Sequence, residues 1–505
     1  MGRHLRWTLC ASVCLFGGLA WSGDGSAQED PWSSGDWGDD VTVTPTTPDP
    51  PRSGRPIPPP VTTPTTPTTP SNPRPTNPTT PVTPPVSTPV SGVRREPADE
   101  AGAEVFAQDR VLTYEISVSS SDLARIDRQP SSEEKIRGSV RVNGRTYDQI
   151  AFRYKGSIGS FLAPCTSQQS VIGLGMGSKV GKCSIKLEFD EYDGSQRFHG
   201  MKKINLHAMG HDDAMLKERL GYSLYREMGI AAPRAAHARV VINGRLEGLF
   251  VAVEQIDKTF TRSRFEEGGE GNLYKEVWPM YDSSDTYRKA LETNETEGNV
   301  TRMSNFKKAI DRGASAAAQF LDLSYMMRYL AVDRLIINDD GIMHWYCASQ
   351  QGNNERRAQG NHNYYWYEAR GFDRLWLVPW DLDNSFNDDR SDFTHVATDW
   401  RQSDFLCLCM PVGGVPQRAP SCDPLTRHLA TFRSEYDAAV SELVRGPFST
   451  MAVNAKLDAW VAQIKPYVEE AAGVRGAPSA RSWGESVNRL RTTINNSRNN
   501  RGFRY

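Results

Sequence analysis

The chain has little net charge: 59 Lys and Arg stand against 61 Asp and Glu in 505 residues, a formal −2. Without a basic field there is no case for nucleic acid as a partner. Neither a Walker loop nor a Gly-x-Gly-x-x-Gly is present, which removes two common glycine-based phosphate cradles. No Cys-x-x-Cys occurs among the eight cysteines, so a cysteine zinc site is not expected. Long apolar runs are missing as well. The most apolar stretch, residues 7–21, is too short and too polar beyond Trp21 to span a membrane. With Arg3 and Arg6 before it and Gly25-Ser26-Ala27 after it, residues 1–27 read as a secretory signal.

Residues 41–90 have almost nothing apolar to bury, and 33 of these 50 are Pro or Thr. Proline locks φ and donates no backbone hydrogen bond, so residues 28–100 are expected to be a disordered, extended Pro/Thr-rich stalk. A spacer behind an export signal places the rest of the chain at a cell surface, in the periplasm or outside the cell. Once the signal is cleaved, no transmembrane helix is expected. Six cysteines remain after Cys10 and Cys14 leave with the signal, and an even number in an exported chain favours disulfides. Local pairing would join Cys165 to Cys183, and Cys422 to Cys407 or Cys409.

Alternating apolar residues predict strands at 111–118, 138–142, 149–154, 183–189, 202–208, 238–242 and 246–253. Asn143-Gly144 and Asn243-Gly244 are hairpin signals. Helices are expected at 212–228, where Asp212 or Asp213 can cap, and at 303–310, 316–337, 425–444, 451–472 and 481–495. Residues 262–271 and 407–422 read as loops, and the glycine-rich stretch 156–181 as a flap or a flexible loop. Strands plus one helix, followed mainly by helices, predict an α+β chain with a strand-rich first half.

The chemistry-bearing residues gather late in the chain. Asn338-Asp339-Asp340 follows an apolar helix, and Asn361-His362-Asn363 precedes an aromatic strand. An apolar strand then delivers Pro379-Trp380-Asp381-Leu382-Asp383-Asn384-Ser385-Phe386 at its exit. A carboxylate in a loop, an Asn, and a strand-borne Asp are the order of parts in protein kinases. There, oxygen ligands hold Mg²⁺ on nucleotide phosphates and the loop carboxylate takes a hydroxyl proton. The alternate oxygens from Asp381 onward also resemble a calcium loop, but Phe386 stands where such a loop needs glycine. His207 and His211 have His-x-x-x-His spacing, but no Glu follows His207. Asp333 reads as a helix-end salt-bridge partner.

Several blocks resemble the CotH kinase family. They include Phe152-Arg153-Tyr154-Lys155-Gly156-Ser157, Ile185-Lys186-Leu187-Glu188-Phe189-Asp190, Val253-Glu254-Gln255-Ile256-Asp257, Asn272-Leu273-Tyr274-Lys275, Asn361-His362-Asn363-Tyr364-Tyr365 and the Pro379–Phe386 run. The resemblance implies an atypical two-lobed kinase-like fold, with a mixed strand-rich lobe over residues 101–255 and a mainly helical lobe over 256–505. It implies ATP with Mg²⁺ or Mn²⁺, and transfer of the γ-phosphate to Ser or Thr of an envelope or extracellular protein. On that reading Asp340 is catalytic, Asn363 and Asp381 hold metal with Asp383 as a second candidate, and Glu254 lies near the adenine. Lys155, Lys186 and Lys275 are all phosphate-binding candidates. The chain departs from the family where Asp340 is followed by Gly341-Ile342-Met343 and by a long insertion before Asn361. A non-catalytic surface-assembly or adhesion protein on the same fold is the alternative, and transfer of AMP or phosphorylation of a glycan is a third reading.

Overall fold

A computed structural model describes residues 92–94, 100–156, 165–166, 178–296, 298–347, 360–371, 373–387, 400–401, 407–412 and 415–499. These belong to one compact unit; a second unit, Gly17–Thr83, lies outside them. The signal, the Pro/Thr spacer and most of the glycine-rich stretch also lie outside the described residues.

Seven strands form a closed barrel: β1 (Leu112–Val118), β2 (Ile136–Val142), β3 (Arg145–Tyr154), β4 (Ile185–Glu188), β5 (Lys203–His207), β6 (Ala235–Ile242) and β7 (Arg245–Glu254). Their order is β1-β2-β3-β4-β5-β7-β6, and a parallel pairing of β1 with β6 shuts the ring. The expected strand-rich half is therefore a closed barrel, which leaves no edge strand to pair with another chain. Alternation along the strands sends Tyr114, Ile116, Val140, Phe152, Tyr154, Leu187, Leu206 and Phe250 into its core. Asn143-Gly144 and Asn243-Gly244 both take positive φ at each residue, as a tight two-residue hairpin needs.

A second core lies outside the barrel. It joins α2 (Lys217–Glu227) to a three-stranded sheet of β8 (Asn272–Lys275), β10 (Tyr364–Glu368) and β11 (Leu375–Pro379), and to helices of the second half. Earlier in the chain α1 (Ser120–Arg128), unpredicted from sequence, follows β1. After the barrel come α3 (Lys258–Arg264), α4 (Ser284–Lys289), α5 (Thr301–Arg312), α6 (Ala314–Ala318) and α7 (Leu323–Leu335). Then α8 (Pro424–Leu429), α9 (Arg433–Arg445), α10 (Thr450–Glu470) and α11 (Ala480–Asn499) complete the helices.

Several boundaries differ from the sequence reading. The helix expected at 316–337 splits because Asp322 caps α7 afresh, accepting the Tyr325 N–H at 3.0 Å. The helix expected at 425–444 is likewise two. Part of the expected loop 262–271 is helical, since Asp257 accepts the N–H groups of Thr259 and Phe260 and starts α3. The 407–422 loop contains a hairpin, β12 (Met410–Val412) with β13 (Val415–Arg418), which pairs onward with β9 (Trp345–Tyr346). Disulfides join Cys165 to Cys183, Cys407 to Cys422 and Cys347 to Cys409. The first two are the local pairings expected, with Cys407 as the partner of Cys422.

Candidate active site

The outer face of the barrel builds one wall of the site. Tyr154 and Leu206 point inward, so pleating turns Arg153, Lys155, Lys186, Asn205 and His207 outward. Both Asn205 and His207 are nevertheless buried, His207 against Glu218 of α2 and Trp380 after β11, and Asn205 with its amide nitrogen on Val253 and Gln255. Lys155 Nζ lies 2.7 Å from His207 Nε2, and His207 Nδ1 lies 2.9 Å from Glu218 of α2. The Lys155 ammonium sits 5.2 Å over the ring of Trp380.

The opposite wall is the turn after β11. Its Asp381 N–H donates to the Tyr222 hydroxyl at 2.9 Å, and the Leu382 N–H donates to the Glu218 carboxylate. Glu218 and Tyr222 are one helical turn apart on α2, so a single helix face grips two successive amides. Gly221 permits the approach: a Cβ there would meet Leu382 Cδ1 at 2.9 Å. Asp381 has φ 50° and Asn363 φ 62°, a left-handed region that Asn and Asp tolerate better than most residues.

Asp340 is held from both sides. Tyr346 Oη donates to one carboxylate oxygen at 2.8 Å, and Asn363 Nδ2 donates to the other at 2.9 Å. With its nitrogen committed, Asn363 keeps its amide oxygen as the atom that can ligate a cation. The Trp380 N–H donates to the Asn363 carbonyl at 3.1 Å, tying β11's exit to this loop. Gly341 follows for steric reasons: a Cβ would collide with the amide of Asn338, which is itself bonded to Asp333. The departure from the family pattern at this position is thus a close-packing feature. Asp333 is not a helix-end ion pair but a fully buried brace for Asn338 and Tyr225.

The electrostatics are crowded. Burial raises Glu218 well above the usual carboxylate range, and Asp381 adds to this. Burial, Asp381, Glu218 and Asp212 do the same to Asp383. Asp340 is raised by burial, against His362, Tyr346 and Asn363, with Asp381 pushing it further up. On the cationic side, burial lowers Lys155 despite Asp381 and Glu218, and it lowers Lys186 to about 7 with help from Arg153 and Lys203. Lys275 goes the other way, raised chiefly by Tyr365, with which it pairs across β8 and β10. Burial and Lys155 push His207 down to about 3, which keeps its ring neutral.

The structure therefore brings together Lys155, Lys186, Lys275, Asp340, Asn363, Asp381 and Asp383. Each is half-buried, whereas the groups behind them (His207, Glu218, Asp212, Asn338 and Asp339) are fully buried. Glu254 is not part of this group. Arg234 and Arg264 donate to both its oxygens and hold it below the ordinary carboxylate range against the effect of burial. That network, with Glu100 beside it, makes Glu254 a structural brace where a place beside the adenine was expected. His207 belongs with Glu218 and Asp381, whose ligand atoms lie within 4.8 Å of one another, and not with His211. Arg219, next to Glu218, is a packing residue that bonds Gln108, His237 and Gln463. Tyr222 and Tyr346 were not singled out from sequence, and His207 was noted only for its spacing to His211; for Tyr222 the one available signal was its i, i+4 pairing with Glu218 on a helix expected to begin near Asp212.

Converging carboxylates and an amide oxygen that face lysines are the donor set of a kinase-like protein. The family model described as CotH kinase protein matches residues 153–500, more than half of the chain, and the chain belongs to that family. It is 20% identical over 383 residues to Inner spore coat protein H of Bacillus subtilis (strain 168), covering 72% of this chain and 89% of that relative. A solved Helicobacter pylori proinflammatory kinase, CtkA, matches 64% of this chain and 93% of its own at 8% identity. Its TM-score is 0.28.

Proposed function

We propose that this chain is an exported kinase that moves the γ-phosphate of ATP to a Ser or Thr hydroxyl of an envelope or extracellular protein. The observation that carries the reading is the meeting of Asp340, Asn363 and Asp381, from three separate segments, with Lys155 of the barrel wall. The donor set fits a hard divalent cation: carboxylates that repel one another in a half-buried site, and an amide oxygen left without its nitrogen's competition. Asp381 and the Asn363 oxygen would hold Mg²⁺ or Mn²⁺, with Asp383 as a further ligand. Such a metal would neutralise charge on the phosphates when bound. Lys155 contacts the phosphates, and Lys186 and Lys275 add positive potential beside it. Asp340, fixed by Tyr346 and Asn363, orients the acceptor hydroxyl and takes its proton. The export signal, the spacer and the coat protein among the relatives support a surface or exterior location.

The test is transfer of label from γ-labelled ATP to an acidic protein acceptor, with Mg²⁺ or Mn²⁺. Incorporation that vanishes in Asp340→Ala and Asp381→Ala supports the reading. A non-catalytic surface-assembly role is favoured by one observation, the Pro/Thr spacer. No label, together with no metal-dependent thermal shift by ATP, would establish that role instead. Binding without γ-transfer would point to transfer of AMP, read with α-labelled ATP.

A further inference from the structure

The chain places an imidazole where a lysine and a helix carboxylate could have met directly. Lys155 leaves the end of β3 and Glu218 lies in the first turn of α2, with His207 of β5 between them. The contacts run from Lys155 Nζ to His207 Nε2 at 2.7 Å, then from His207 Nδ1 to the Glu218 oxygens at 2.9 and 3.0 Å. His207 and Glu218 are both fully buried, and the His207 ring stands edge-on to Trp380 at 5.6 Å. The third contact of this unit is the Leu382 N–H on Glu218, beside Asp381.

With Lys155 charged and Glu218 ionised, donor and acceptor counting gives the bonds one direction. A lysine ammonium has three donors and no acceptor, so His207 Nε2 must offer its lone pair to Lys155. The neutral ring then carries its proton on Nδ1 and donates it to Glu218. We propose, resting on the kinase reading above, that His207 is a positioning residue: it joins Lys155 to Glu218 in place of a direct ion pair. A neutral bridge orients the Lys155 side chain without adding a charge of its own, and the nucleotide phosphates supply the counter-charge that favours its ammonium form against burial. The same bridge makes the position of Lys155 depend on α2, whose Glu218 also holds the Asp381 turn. Of the three candidate lysines, this assigns the phosphate contact to Lys155.

Two measurements on the full chain test this. The first uses protein with ¹⁵N-labelled histidine, the His207 signals being identified by their loss in His207→Gln. The expected spectrum at neutral pH is the neutral ring protonated on Nδ1; protonation on Nε2 alone, or an imidazolium, overturns the relay whatever the protein's activity. The second compares ATP kinetics. His207→Leu removes both bonds and is expected to raise KM for ATP by about tenfold, with a smaller change in kcat. His207→Gln offers one acceptor and one donor and should recover most of that loss, which a purely structural role would not produce. A Leu variant with unchanged KM overturns the proposal. If the wild type transfers label yet both variants lose kcat equally with KM unaltered, the kinase reading survives and the positioning role fails. A wild type that neither binds nor transfers ATP overturns the kinase reading, and with it the assignment of Lys155 to phosphate.

Discussion

The side-chain amide of Asn363 donates to Asp340 twice, at 2.9 Å to its carboxylate and at 2.9 Å to its backbone carbonyl. One residue thus orients the expected proton acceptor and presents its own oxygen toward the expected metal. Asp340→Asn should lower kcat by about 10²-fold or more while ATP still shifts the melting temperature. Asn363→Ala should lose both transfer and much of that shift. Equal behaviour of the two variants in both assays would count against the division of roles.

Asp381 adds to the burial that raises Glu218, Asp383 and Asp340. Removing its charge should relieve the apoprotein. Asp381→Asn is expected to melt higher than wild type in chelator, by about 1 kcal/mol, and to lose the rise that Mg²⁺ with ATP produces. A lower melting temperature in chelator would contradict the electrostatic account.

Asp333 has a pH signature of its own. Burial pushes its carboxyl from 3.8 up to about 6, against Arg334, Asn338 and Tyr225. The folded state binds this proton more tightly than the unfolded chain does. Its contribution therefore favours folding below about pH 4 and is lost as pH climbs through about 6. Asp333→Asn should flatten that part of the melting curve against pH, an effect on the order of 1–3 kcal/mol. Identical slopes for the two proteins would refute it.

Tyr346 reaches Asp340 from β9, one residue before Cys347, whose disulfide with Cys409 ties β9 to the β12–β13 segment. Opening that bond should loosen the Tyr346 contact. Cys347→Ser is expected to lower kcat several-fold with KM for ATP little changed, and Tyr346→Phe should reproduce the loss without touching the disulfide. If Tyr346→Phe is fully active, the hairpin has no part in holding Asp340.

Much of the site was legible because its residues come in short blocks. Asp340 and Asp381 each follow an apolar run and Asn363 precedes one, where local pattern marks the end of a buried element. The barrel strands were legible from their period of two, and both Asn-Gly hairpins from the φ those residues tolerate. Glu254 misled because a carboxylate at a strand end looks the same whether arginines or a ligand await it; Arg264 comes from α3, in a segment read as loop. His207 was read on a strand and weighed only with His211, through a helix spacing rule that the pair does not meet. Its true partners, Lys155 and Glu218, are on other elements.

By itself the sequence determined the family, the run of strands before helices, the hairpin turns and the residue types that face one another in the site. These follow from chemistry that acts within about ten residues: alternation, turn conformation and the ends of apolar runs. The tertiary structure alone decided that β1 meets β6 to close a barrel, that Glu254 is consumed by two arginines, and that an imidazole stands between Lys155 and Glu218. Such contacts join segments far apart in the chain, and no local rule encodes which buried charge will neutralise which; packing sets the distances, and the cost of burying an unpaired charge selects the partners.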